Sequence, residues 1–183
     1  MITWPAGTHR DYWPCSARNI LVLPYICAKS LKKMIVRKAT RNDLPAIIKM
    51  LTEDVLGATR ETYADPLPES YYKAFDIIDR DPAQELIVVE DEGGDIIGTL
   101  QLTHIQYLLY KGGLRTLVEG VHIRKDQRGK KIGEKLLTWA INRAKEKGAH
   151  IVQLTSDNRR ADAIRFYERL GFKDSHAGMK LHL

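Results

Sequence analysis

The residues best suited to chemistry lie in the run Gln127-Arg128-Gly129-Lys130-Lys131-Ile132-Gly133. Two lysines and an arginine crowd a glycine-bearing turn there, directly ahead of an amphipathic stretch. A helix N-terminus carries unpaired N–H donors and the positive end of a dipole, so a basic turn at that point is an anion site, suited above all to phosphate. Neither Gly-x-x-x-x-Gly-Lys-Ser/Thr nor Gly-x-Gly-x-x-Gly occurs in the chain, which sets aside the nucleoside-triphosphate loop and the dinucleotide fingerprint. Cysteine chemistry is set aside as well. Cys15 and Cys27 are the two cysteines, both upstream of Met34, so neither a disulfide framework nor a cysteine nucleophile is expected in the core. No Gly-x-Ser-x-Gly elbow exists. Any acyl transfer would pass straight to the acceptor, without a covalent enzyme intermediate.

The elements that must position this turn can be read from apolar spacing. Leu117, Val118, Val121 and Ile123 suit a largely buried strand ahead of it. After Gly133, the residues Leu136, Leu137, Ala140, Ile141 and Ala144 recur at helical spacing, Lys145 and Lys147 fall in the last turn, and Gly148 caps it. Upstream, Met34 to Thr40 reads as a first strand running into a helix cap at Thr40 to Asp43, with Pro45 in the first turn. Leu44, Ile47, Ile48, Leu51 and Val55 form one stripe, giving a helix that ends near Gly57. A loop with Pro66 and Pro68 follows, then a second helix over Ser70 to Asp79. Glu85 to Glu90 and Ile96 to Ile105 are two strands joined by a hairpin turn at Asp91 to Asp95. Tyr107 to Gly113 is a loop. Ile151 to Thr155 is expected to be a further buried strand, Ala161 to Leu170 a helix closed by Gly171, and Met179 to Leu183 a short terminal strand.

At 183 residues the chain holds one ordinary domain, with a net charge of +6. The charge is unevenly spread. Residues 1–50 carry 9 Lys/Arg and 2 Asp/Glu, residues 51–100 carry 3 and 13, and residues 101–183 carry 17 and 8. An acidic middle beside a basic end suits an enzyme that holds an anionic cofactor at one end and a cationic amine at the other. Nucleic acid is not the expected partner, because no stacking aromatics are interleaved with the basic cluster. No apolar run is long enough to span a membrane. Residues 1–33, broken by Trp4-Pro5, Trp13-Pro14 and Leu23-Pro24, read as an N-terminal extension, poorly ordered, ahead of a fresh start at Met34.

Two motifs carry a family resemblance. Arg128 to Gly133 resembles the acetyl-coenzyme A loop Arg/Gln-x-x-Gly-x-Gly/Ala of the GNAT superfamily of N-acetyltransferases, with Lys131 standing where the family has its central glycine. Asn158 to Phe172, containing Phe166-Tyr167-Glu168 and Gly171-Phe172, resembles that family's other signature, in the right order and at a similar separation. Together they cover about residues 34–183. The resemblance implies an α/β fold of α+β type: a central, mixed but mostly antiparallel sheet flanked by helices, whose fourth and fifth strands run parallel and splay apart. It implies acetyl-CoA as co-substrate, a primary amine as acceptor and direct attack in a ternary complex.

Site roles follow from the same resemblance. Backbone groups around Val121, His122 and Ile123 would pair with the pantetheine arm as an added strand. Arg128, Gly129, Lys130, Lys131, Ile132 and Gly133 would hold the pyrophosphate. Asn158 would contact the arm, and Tyr167 would stand near the thioester sulfur and protonate the departing thiolate. Glu119, on the fourth strand, would be the general base that the protonated amine requires. No metal is expected. His104 and His122 are read as facing each other across neighbouring strands, while His176, Tyr71, Tyr72 and Tyr107 are candidates for the acceptor pocket. The acceptor is expected to be a small-molecule or peptidyl amine, the assembly a possible homodimer, and the location cytoplasmic. Two alternatives stand beside this: an acyl-CoA-binding sensor without activity, and a protein-lysine or N-terminal acetyltransferase.

Overall fold

A computed structural model describes residues 34–54 and 57–181. The expected N-terminal extension lies outside these residues, as do Val55 and Leu56.

The strands are β1 (Ile35–Lys38), β2 (Gln84–Glu90), β3 (Ile96–Gln106), β4 (Leu114–Ile123) and β5 (Ile151–Leu154), in one sheet of order β1-β2-β3-β4-β5. The first three pairings are antiparallel and β4 runs parallel to β5. The helices are α1 (Leu44–Thr52), α2 (Glu69–Arg80), the single turn α3 (Leu109–Gly112), α4 (Ile132–Glu146) and α5 (Ala161–Arg169). The expected mixed sheet with flanking helices is what forms.

Strand alternation divides the apolar residues between two layers. Ile87, Leu100, Leu102 and Val118 point to the side where α4 lays down Leu136, Leu137 and Ala140. Val88 and Ile96 point to the other side and meet Ile47, Ile48 and Met50 of α1 and Phe75 of α2. The turn into α1 is fixed by Asp43: its carboxylate accepts from the Thr40 N–H at 2.7 Å and the Thr40 hydroxyl at 2.9 Å, and from Arg37 at 2.7 and 3.0 Å. Burial pushes that carboxyl up, but the Arg37 and Thr40 bonds outweigh it and hold it below the usual range.

One buried polar cluster ties the far end of α4 to the sheet. Glu85 on β2, 3 % exposed, accepts from Arg143 Nε at 2.9 Å and Nη2 at 2.9 Å, with Lys147 Nζ at 3.4 Å. His104 on β3 lies 3.6 Å from Glu85 through Nε2 and meets the Thr116 hydroxyl at 2.9 Å through Nδ1.

Three expectations need correction. Strand β5 is not buried; exposed and half-buried residues alternate along it and Ile151 is 45 % exposed, because β5 pairs with β4 on one side and forms the sheet edge on the other. Residues 179–181 form no strand; Met179 and Leu181 are exposed, and His182 and Leu183 lie outside the described residues. His104 and His122 do not face each other: His104 pairs with Thr116 and lies on the α4 side, whereas His122 pairs with Thr99 and lies on the α1 side. The Tyr107 to Gly113 segment is the loop expected, its short α3 turn left-handed at Tyr110 and Lys111, with φ of 53° and 60°.

Candidate functional site

The site is built on an irregularity in β4. Gln101 pairs with Glu119 and Thr99 pairs with His122, so β4 spends one residue more than β3 over this interval. That extra residue makes a β-bulge, and Gly120 takes the left-handed backbone it needs, at φ 60°. One consequence follows. Glu119 and His122, three apart, now project to the same α1-facing side of the sheet, whereas in an unbroken strand they would oppose each other. The parallel pairing to β5 ends just short of the bulge: it runs from Arg115 with Ile151 to Val118 with Leu154, the last residue of β5. From Glu119 to Ile123, among the described residues, β4 has a strand partner on the β3 side alone. Beyond the end of β5 this leaves an open edge of β4, a slot whose β4 wall carries backbone donors and acceptors.

The basic turn closes the end of this slot. Gly129 and Lys131 are both left-handed, at φ 77° and 61°, and Lys131 is the residue that caps α4. This explains why a glycine suits that position: a lysine there strains its Cβ against the backbone. Lys131 is exposed, so its ammonium is in water. The left-handed strain is worth about 1–2 kcal/mol, offset by about 0.4–1 kcal/mol of extra chain entropy in a glycine variant. Lys131→Gly is therefore expected to raise stability by about 0.5–1 kcal/mol in urea unfolding. A Cβ on Gly133 would lie 3.5 Å from the Phe166 ring and 3.7 Å from an Ile123 side-chain carbon, so the first turn of α4, the end of β4 and helix α5 converge here.

The basic side chains are not equally available. Arg124 is committed to Asp126 at 2.8 Å and Asp95 at 3.2 Å. Lys130 donates to the Gln127 side-chain amide oxygen at 2.9 Å. Arg128 folds back over the strand end, its Nε donating to the Ile123 carbonyl at 3.1 Å and its Nη2 lying 3.3 Å from His122 Nε2. Uncharged acceptors hold Arg128 and Lys130, so an anion at α4 competes for them on favourable terms.

His122 is 8 % exposed. Burial pushes its imidazole below the ordinary range, Arg128 and Arg160 add to this, and Asp54 and Glu53 oppose it. Arg160, at the start of α5, forms an ion pair with Asp54, just past α1, across the same region. Tyr167 packs its ring 5.4 Å from Phe166 and 6.0 Å from Phe172, and burial raises its hydroxyl above the ordinary value, against a smaller opposing effect of Arg160. A phenol so placed stays protonated at neutral pH and can donate.

The structure brings Glu119, His122, Arg128 and the α4 turn to one end of β4. Val121 and Ile123 send their side chains to the α4 layer. Asn158 is exposed in the turn before α5, where Asp157 accepts from the Arg159 N–H at 2.9 Å. Other expected pocket residues are held in contacts of their own. Tyr107 bonds His150 at 2.8 Å beside the start of β4, about 17 Å along the strand from the bulge by strand rise. Tyr71 is spent on the Thr62 N–H and Glu61, Tyr72 lies under Arg41 at 4.4 Å, and exposed His176 meets Ser175 at 2.7 Å. The Asp54–Arg160 pair was not foreseen. It spans 106 residues, and no local spacing announces it. Gly120 inside an apolar run was the visible signal for the bulge.

Comparison with known proteins agrees with this geometry. Residues 48–172 match the acetyltransferase (GNAT) family. The chain is 36 % identical over 83 residues to an aminoalkylphosphonate N-acetyltransferase of Salmonella typhimurium, a match covering 45 % of this chain and about half, 53 %, of that enzyme's length. It is 27 % identical over 140 residues to an L-methionine sulfoximine/L-methionine sulfone acetyltransferase of Pseudomonas aeruginosa, covering 76 % of this chain and 80 % of that one. A crystal structure from Bacillus halodurans C-125, described as a transcriptional regulator, superposes with a TM-score of 0.80 at 50 % identity, over 82 % of this chain and all of the other. With its bulged β4, its splayed parallel strands and its basic turn, the chain belongs to the GNAT family of acetyltransferases.

Proposed function

We propose that the protein transfers an acetyl group from acetyl-CoA to the primary amine of a small molecule that also carries an acid group. The observation that carries the first half is the slot itself: β4 backbone left without a strand partner beyond Val118, ending at the α4 turn. The pantetheine amides would complete that edge as an added strand along Val121 to Ile123. The N–H groups from Gly129 to Gly133, with Arg128 and Lys130, would take the pyrophosphate, and Asn158 would lie beside the arm.

The protein then has three tasks. A base on the α1 side must strip a proton from the ammonium, since a protonated amine cannot attack; Glu119 and His122 are the groups of β4 on that side able to accept it. A backbone N–H near Val121 would stabilise the oxyanion. Tyr167 would protonate the leaving sulfur.

The second half rests on Asp54 and Arg160. An acceptor with an ammonium and an acid group can exchange partners with this ion pair, ammonium to Asp54 and acid to Arg160, so that no charge is left unpaired. The Salmonella and Pseudomonas relatives are named for acceptors of this kind. Thiol release from acetyl-CoA by the full chain tests the reading, with 2-aminoethylphosphonate and methionine sulfone against ethylamine and a lysine peptide. A charge-assisted contact of about 1.5–3 kcal/mol predicts at least a tenfold preference, in kcat/KM, for the acid-bearing amines. A preference for ethylamine or the peptide would overturn this acceptor class.

A second reading has its own support. Lys131 departs from the family loop, and the Bacillus relative is described as a regulator. Thermal stabilisation by acetyl-CoA, with no thiol released for any amine, would favour an acyl-CoA sensor.

A further inference from the structure

Building on the proposed acetyl transfer, we propose that His122, rather than Glu119, takes the proton from the acceptor amine, and that Arg128 blocks it until the pyrophosphate of the donor substrate draws the guanidinium away.

Three observations meet at His122. The bulge at Gly120 puts its side chain on the acceptor-facing side of β4, next to the strand segment left open toward β5. Its Nε2 lies 3.3 Å from Arg128 Nη2. Guanidinium is a donor with no acceptor, so Nε2 presents its lone pair there and the imidazole proton sits on Nδ1. The same guanidinium bonds the Ile123 carbonyl at 3.1 Å, which places Arg128 between the phosphate-binding turn and the base. Glu119, by contrast, is exposed; its carboxylate is solvated and suits the capture of an incoming ammonium.

Arg128 cannot serve both partners at once. Two uncharged acceptors hold it in the free enzyme, whereas a pyrophosphate offers charged oxygens in the bidentate geometry a guanidinium prefers. Its departure uncovers the Nε2 lone pair and removes a cation from it. The groups facing His122 are then Glu119 on its own strand, Glu53 and Asp54 from beyond α1, and Arg160 ahead of α5. With Arg128 gone the acidic groups dominate and imidazolium becomes easier to form.

The step balances as follows. Nε2 takes one proton from the acceptor ammonium, giving imidazolium and a neutral amine. The amine lone pair forms the C–N bond to the thioester carbonyl carbon, and the C–S bond breaks with its electron pair on sulfur. Tyr167 gives its hydroxyl proton to that sulfur and recovers a proton from the new amide nitrogen. His122 returns its own to water. The products are the amide, the free thiol and one proton.

The test follows imidazole signals by NMR in the full chain, with coenzyme A as probe and His122→Gln to assign the resonance. Coenzyme A is expected to raise the His122 midpoint by about one pH unit. Arg128→Gln is expected to show the raised midpoint without ligand, with little further change on adding coenzyme A. In kinetics, His122→Gln is expected to lower kcat/KM about a hundredfold and to remove the acid limb of its pH profile, with coenzyme A affinity kept. If coenzyme A moves the Gly129 and Gly133 amides while the His122 midpoint stays put, the gate is wrong. If the acid limb survives in His122→Gln, the base is wrong. If no amide moves, acetyl-CoA itself is the wrong ligand, and the parent reading falls separately.

Discussion

Tyr167→Phe is expected to lower kcat about a thousandfold while leaving the affinity for coenzyme A within about twofold, as general-acid contributions run from about 10² to 10⁴. The residue sits on α5 with its ring packed against Phe166 and Phe172, so the substitution keeps the packing and deletes one hydroxyl. Burial holds that hydroxyl protonated, which is the form a leaving thiolate needs. An interaction made only as the thiolate departs shows in kcat and not in binding. Equal loss in turnover and in coenzyme A affinity would instead make Tyr167 a binding residue.

The second large effect concerns stability. Arg143→Met is expected to destabilise the fold by about 3 kcal/mol, because breaking a buried ion pair strands the remaining charge. Glu85, 3 % exposed, would keep Lys147 at 3.4 Å and lose its bidentate partner. For a chain of this size that is about 6–12 °C in Tm. The pH dependence identifies the cause. Burial pushes the Glu85 carboxyl up, but Arg143 and Lys147 outweigh it and hold it below the ordinary range. Its contribution is thus present above the unfolded pKa and is lost as pH falls through the folded one. As pH falls, the variant's carboxyl, without Arg143 to hold it down, takes its proton before the wild type's does, and the gap between them should narrow once both are neutral. A gap that stays constant from pH 7 to pH 3 would mean that Arg143 acts through packing. His104 and His122 shape the milder part of the same curve. Burial lowers both imidazoles in the fold, so the unfolded chain binds more protons and stability declines as pH drops below about 6.5.

Much of this was legible in the residues. The stripe from Leu44 to Leu51 and the apolar spacing from Leu136 to Ala144 each bury one face against the sheet, and the matching helices form. The glycine-bearing basic turn from Arg128 to Gly133 was legible too, and it leads into α4 as expected. What stayed hidden was whatever depends on register and on distant partners. An extra residue at Gly120 brings Glu119 and His122 to one side of the sheet, and apolar alternation says nothing of that. The Asp54–Arg160 pair joins segments with no sequence relation. Burial of β5 was overestimated because Ile151-Val152-Gln153-Leu154 reads as a core strand, yet the sheet ends with it. Tyr107 was placed near the acceptor on residue type, whereas the length of β4 puts it at the other end.

The most direct test of the account is calorimetric titration of the full chain with coenzyme A, with NAD as control. The slot and the α4 turn predict one site per chain, no heat with NAD, and weakening in Arg128→Ala. The result that would contradict the account is no binding in the wild type, or NAD bound as tightly as coenzyme A.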